Sequence, residues 1–115
     1  MPSQIEHSKP ALPSGATMAD YQKYVHGLEA YHGWLEVGLI KNCFLMGEEV
    51  GELFKAVRHH LKLFEEDAKQ ASSADVAEEI VDVFNYLLAI ANRLDIDIED
   101  AFRKKNTRNL SRSWD

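Results

Sequence analysis

Two stretches decide this chain: GEEVGEL at residues 47–53 and AEEIVDV at residues 77–83. Each carries two carboxylates three residues apart, Glu49/Glu52 and Glu79/Asp82, inside an apolar pattern with helical spacing. Residues three and four apart share a helix face. Glu48/Glu52 and Glu78/Asp82 are therefore like-charge neighbours that repel unless a counter-ion lies between them. Two readings of these acids stand. They form a solvated charged stripe, or they are oxygen ligands for a hard divalent cation.

Working outward from the acids, apolar residues recur at steps of three and four. Around the first acid motif they are Leu39, Cys43, Met46, Val50, Leu53, Val57 and Leu61. Around the second they are Val76, Ile80, Val83, Leu87, Ile90, Ala91 and Leu94. At roughly 100° per residue, Glu49 and Glu79 fall about 80–90° from the centres of these stripes, at the border of the buried faces. Glu48 and Glu78 fall roughly opposite the stripes, where solvent is expected. Glu52 and Asp82 lie further round on the same side as Glu49 and Glu79. If the two helices pack antiparallel, the pairs converge beside the seam.

All three prolines precede residue 14, and no alternating strand pattern appears. The periodicity predicts four helices. The first runs from about Ala19 to His32, stopping near Gly33. The second runs from about Trp34 to Phe64, bent near Gly47 and Gly51. A polar link over Glu65–Ser73 follows, and the third helix opens at a Ser72-x-x-Asp75 capping signal. The fourth opens at Asp97-x-x-Asp100 and reaches about Arg112. The expectation is an all-α chain, a four-helix bundle-like protomer, with residues 1–17 as a flexible lead and 18–115 as one domain.

Composition narrows the function. The chain has 115 residues, 19 acids against 13 bases, and a formal charge of −6. A net acidic chain is poorly suited to the phosphate contacts that nucleic-acid binding needs. No apolar run approaches the roughly 20 residues of a membrane span, and the N-terminus has no signal-like apolar core. Cys43 is the sole cysteine, which excludes an intrachain disulfide. It lies on an apolar stripe, as a small core residue would. A soluble, cytoplasmic protein with no nucleic-acid or membrane partner is expected. Di-iron bundles want Glu-x-x-His on two helices; neither Glu52 nor Asp82 is a histidine, and an all-oxygen set favours Mg²⁺ or Mn²⁺ over iron or zinc.

The last helix carries Lys105, Arg108, Asn109 and Arg112. Positions 105, 109 and 112 fall within about 60° of one another. A point charge, an amide and a forked donor suit phosphate oxygens. Basic residues at a helix C-terminus also complement its dipole with no ligand involved, as His59 and His60 do near the end of the second helix.

Glu49-x-x-Glu52, then 26 residues, then Glu79-x-x-Asp82 resembles the metal motif of MazG-like nucleotide pyrophosphohydrolases, in the all-α NTP pyrophosphatase superfamily. The flanks GEEVGEL and EEIVDVFNYLLAIANRLDIDIEDAFRKKNTRN resemble the family too, and the likeness covers about Ile40 to Arg112. The resemblance implies Mg²⁺-dependent hydrolysis of a nucleoside triphosphate, standard or modified, to monophosphate and pyrophosphate. It implies Glu49, Glu52, Glu79 and Asp82 as metal ligands, with an acid such as Glu48 or Glu49 orienting water. Lys105, Asn109 and Arg112 would hold phosphate. Asn85 and Tyr86, one turn past Asp82, and Trp34, Asn42 and Phe84 are candidates for a base pocket; a core or interface role competes for Trp34. The resemblance also implies a homodimer or homotetramer, which fits the apolar residues Leu35, Phe44, Phe54 and Phe84 off the main stripes. A phosphoribosyl-ATP pyrophosphatase-like enzyme and a non-catalytic helical oligomerisation module are the alternatives.

Overall fold

A computed structural model describes residues 8–62 and 73–113. Its regular structure is four helices: α1 (Met18–His32), α2 (Leu39–His60), α3 (Ser73–Arg93) and α4 (Ile98–Ser111). The fold is all-α, and no strand occurs among the described residues. None of the described helices is long and apolar enough to cross a membrane. The helices fall into two compact units. Among the described residues, one comprises 8–36 and 91–113, the other 37–62 and 73–90.

In the first unit, Thr17 starts α1 through a reciprocal pair. Its hydroxyl accepts from the Asp20 N–H at 3.2 Å, and the Asp20 carboxylate accepts from the Thr17 N–H at 2.9 Å. That satisfies two donors that a bare helix start would leave orphaned. Gly33 ends the helix at φ 77°, where a side chain would be strained. The Gly33 N–H then reaches Ala30 O, and the Trp34 N–H reaches Glu29 O at 2.7 Å. Val25, Glu29 and Ala91 are the buried residues of this unit among the described residues. The Glu29 carboxylate accepts two hydrogen bonds from Arg93, at 3.1 and 2.6 Å, which makes burial of both charges tolerable. Arg93 also donates to Trp34 O at 3.1 Å.

Those bonds correct the start of α2. The expected helix from Trp34 is instead a turn and bend over 34–38, with Gly38 as the N-cap and Leu39 as the first helical residue. The Trp34 N–H is bonded to Glu29 O and its carbonyl accepts from Arg93, so this residue belongs to the turn after α1. The helix then passes Gly47 and Gly51 without a break and ends at His60, with Lys62 beyond it at φ 55°. The expected continuation to Phe64 is corrected at Leu61 and Lys62, which form a turn with Lys62 in the left-handed region; most of the expected Glu65–Ser73 link and the Ser72 capping residue lie outside the described residues.

Within the second unit, Asn42, Ala56, Leu88 and Ala89 are buried. Asn42 is a polar core residue because its amide donates to Val37 O and Gly38 O at 3.0 and 2.9 Å. Cys43 is exposed, contrary to the core placement expected from the apolar stripe. The buried line of α2 runs through Asn42 and Ala56, and Cys43 is one residue, about 100°, off it.

After α3, Asp95 takes φ 56°. The Asp95 N–H reaches Asn92 O and the Ile96 N–H reaches Ala91 O, closing the helix end. Asp97 then caps α4 by accepting from the Asp100 N–H at 3.0 Å, as the Asp97-x-x-Asp100 signal predicted. The helix ends one residue short of Arg112, which is its C-cap.

Candidate metal centre

The site is built on one unit, from α2 and α3. Glu49, Glu79 and Asp82 each offer a carboxylate oxygen within 4.8 Å of the other two. Glu49 and Glu79 are half-buried and Asp82 is exposed. Glu48 and Glu78 are exposed, so the adjacent acids split between a sheltered border and open solvent as their phase requires. Glu52 is exposed and outside the three-oxygen group, yet close enough for its charge to act on Glu49.

Electrostatics at Glu49 report crowding. Burial comes first in raising its carboxyl above the usual range, followed by the Asp82 charge, a hydrogen bond from the protonated form to Glu79, and the charges of Glu79 and Glu52. Glu79 adds a separate sign of an unmet need. Its Oε2 is buried and finds no hydrogen-bond donor among the described residues. A carboxylate oxygen can only accept, so a cation or a donor on a ligand is what would satisfy it. A purely solvated stripe would leave that oxygen in water. Hard oxygen donors, mutual repulsion and one orphaned buried oxygen together fit a divalent cation of the Mg²⁺ or Mn²⁺ type.

The other expected site residues are placed as follows. Asn85 and Tyr86, half-buried, follow Asp82 on α3 in the same unit. The Asn42 amide is spent on its own helix start. Trp34 belongs to the first unit, half-exposed, with its ring stacked on His32 at a 4.4 Å centroid distance and a 20° interplanar angle. Lys105, Asn109 and Arg112 belong to that unit as well. Lys105 and Arg112 are exposed, and Asn109 is half-buried, donating to Asn106 Oδ1 at 3.2 Å. Arg103 and Lys104 are paired one turn back, with Glu99 and Asp100. Lys105 forms no ion pair among the described residues.

Sequence reasoning missed the residues that hold this framework. Thr17-x-x-Asp20 is a readable capping signal. Glu29 and Arg93, 64 positions apart, leave no local signature.

An all-helical chain with carboxylates gathered from two helices defines an acidic-cluster class of α-protein. Within that class, the chain belongs to the MazG nucleotide pyrophosphohydrolase domain family, whose domain matches residues 41–113. Membership supports nucleotide pyrophosphohydrolase activity in general terms. The chain is also similar to two proteins of Bacillus subtilis (strain 168). The uncharacterized protein YpjD is 36% identical over 108 residues, covering 86% of this chain and 92% of its own. The uncharacterized protein YvdC is 32% identical over 92 residues, covering 75% of this chain and 86% of its own. No solved structure matches the chain.

Proposed function

We propose that this protein hydrolyses a nucleoside triphosphate, an ordinary or modified (d)NTP, to the monophosphate and pyrophosphate, clearing it from the nucleotide pool. The observation that carries this reading is the convergence of Glu49, Glu79 and Asp82 around a buried, donorless Glu79 oxygen, in a chain of this family.

Glu49, Glu79 and Asp82 would hold Mg²⁺, with Mn²⁺ as a substitute, and Glu52 would complete the acidic set. When bound, the ion would supply Lewis-acid stabilisation of phosphate oxygens and a more acidic water. Water attacks, the anhydride bond between the α- and β-phosphates breaks, and pyrophosphate leaves. Glu48 or Glu49 takes the proton of the attacking water. Lys105, Asn109 and Arg112 donate to phosphate oxygens, where charge builds as the bond breaks. Asn85 and Tyr86, and Trp34 by its half-exposed ring, are assigned to the base.

Assembly as a homodimer or homotetramer goes with this reading. Ile40, Phe44 and Phe54 stand 71%, 73% and 69% exposed. They share one stripe of α2 with Gly47 and Gly51, whose Cα atoms face open space. An apolar stripe with a small-residue floor suits burial against another helix.

The test is incubation with Mg²⁺ and a panel of NTPs and dNTPs, with chromatography of the products. Monophosphate plus pyrophosphate supports the reading. Diphosphate plus phosphate puts the cleavage at another bond. No turnover on the panel, followed by turnover of phosphoribosyl-ATP, moves the chain to that branch. Inactivity on both leaves a non-catalytic helical module.

A further inference from the structure

We propose that Gln22 is a positioning residue for phosphate binding: it fixes α4, and with it Lys105, Asn109 and Arg112. The proposal rests on the reading of those three as phosphate contacts. Its structural half stands on the geometry of one unit.

α4 has no buried residue, so packing alone holds it weakly. A polar helix of this kind depends on how its first turn is tethered. The Gln22 side chain supplies that tether from α1. Its Oε1 accepts from the N–H of Ile98, the first residue of α4, at 3.0 Å. Its Nε2 donates to Ile96 O at 2.8 Å and to Asn92 Oδ1 at 3.1 Å. Asn92 returns a bond from Nδ2 to Gln22 O at 2.9 Å. One half-buried amide thus grips the end of α3, the turn after Asp95 and the start of α4 together.

Ile98 and Asp100 carry two of the N–H groups that a helix start leaves unpaired. Asp97 satisfies the Asp100 donor from within the turn, and Gln22 satisfies the Ile98 donor from another helix. One Gln22 donation lands on Ile96 O, in the turn that sets the direction of α4, and the other on Asn92, at the end of α3. Lys105, Asn109 and Arg112 follow two to four turns along, so a small change of direction at Ile98 is amplified at their side chains.

The test uses the full chain with Q22M, which conserves volume and removes every side-chain hydrogen bond, and Q22E, which keeps the acceptor for Ile98 and loses both donations. Three quantities are read: amide hydrogen exchange in α4 and α2, kcat and KM for the nucleotide the wild type hydrolyses, and calorimetric binding of inorganic triphosphate with Mg²⁺. Q22M is expected to speed exchange in α4 and leave α2 unchanged. KM and the triphosphate Kd are expected to rise about tenfold, a change typical of losing one or two hydrogen bonds, with kcat within about twofold. Q22E moves the same readouts in the same direction by less.

Unchanged exchange in α4 overturns the proposal whatever the enzyme does. Faster exchange with unchanged KM and triphosphate binding overturns it too, leaving Gln22 purely structural. A wild type that neither turns over nucleotide nor binds triphosphate removes the reading beneath the proposal, and does so before any variant is compared.

Discussion

Glu49 is where the chain's chemistry and its stability meet. Its carboxyl titrates above the usual glutamate range, so the folded state holds that proton more tightly than the unfolded chain does. The stability linked to this group is therefore complete below the ordinary value of about 4.3 and is lost as pH rises through the raised folded value. Metal-free wild type should lose stability over that window relative to E49Q, whose amide does not titrate. Thermal melts in chelator from pH 4 to 8 measure the difference, and parallel wild-type and E49Q curves would count against it. At neutral pH, Mg²⁺ or Mn²⁺ should raise the wild-type Tm and leave E49Q unmoved. The same substitution, and D82N, should cut hydrolysis about 10²–10³-fold, the cost of losing an electrostatic contact at the reacting centre. Circular dichroism should show the helices intact in both.

Each helix end has an assignable cause, and two substitutions test the causes. Asp97→Ala removes the α4 cap and should cost about 1 kcal/mol in chemical denaturation. Glu29→Ala removes the buried carboxylate that faces the Arg93 guanidinium and should cost about 3 kcal/mol. A loss below about 1 kcal/mol would mean that water reaches the guanidinium freely. These elements also show how much the sequence discloses. Gly33 and Asp97-x-x-Asp100 marked two boundaries correctly because caps and left-handed turns are local chemistry. The phases of Glu48, Glu49, Glu78 and Glu79 were equally legible, since exposure on a helix follows angle. The start of α2 was not, because the turn that holds Trp34 is tied to an arginine 59 positions away, which leaves no local signature. Cys43 was misplaced because apolar spacing alone points to one buried stripe, and it took a satisfied Asn42 amide to shift the true line.

At the scale of the molecule, the chain leaves much apolar surface uncovered. Ile40, Phe44 and Phe54 are joined in exposure by Ile80 and Val81 on α3. Burying one large apolar side chain is worth about 1.5–3 kcal/mol. The double substitution F44S/F54S should therefore weaken self-association by at least about tenfold. Light scattering across a dilution series reads the effect, and a monomeric wild type at all concentrations would dispose of the assembly.

Cys43 has a practical consequence. The only thiol in the chain is exposed and immediately precedes Phe44 on α2. It is a ready-made attachment point for a single reporter, with no second cysteine to silence. Its alkylation rate can be followed while protein concentration is varied. Shielding of the sulfur at high concentration would footprint a contact along this stretch of α2, in the unaltered protein and without substituting any side chain.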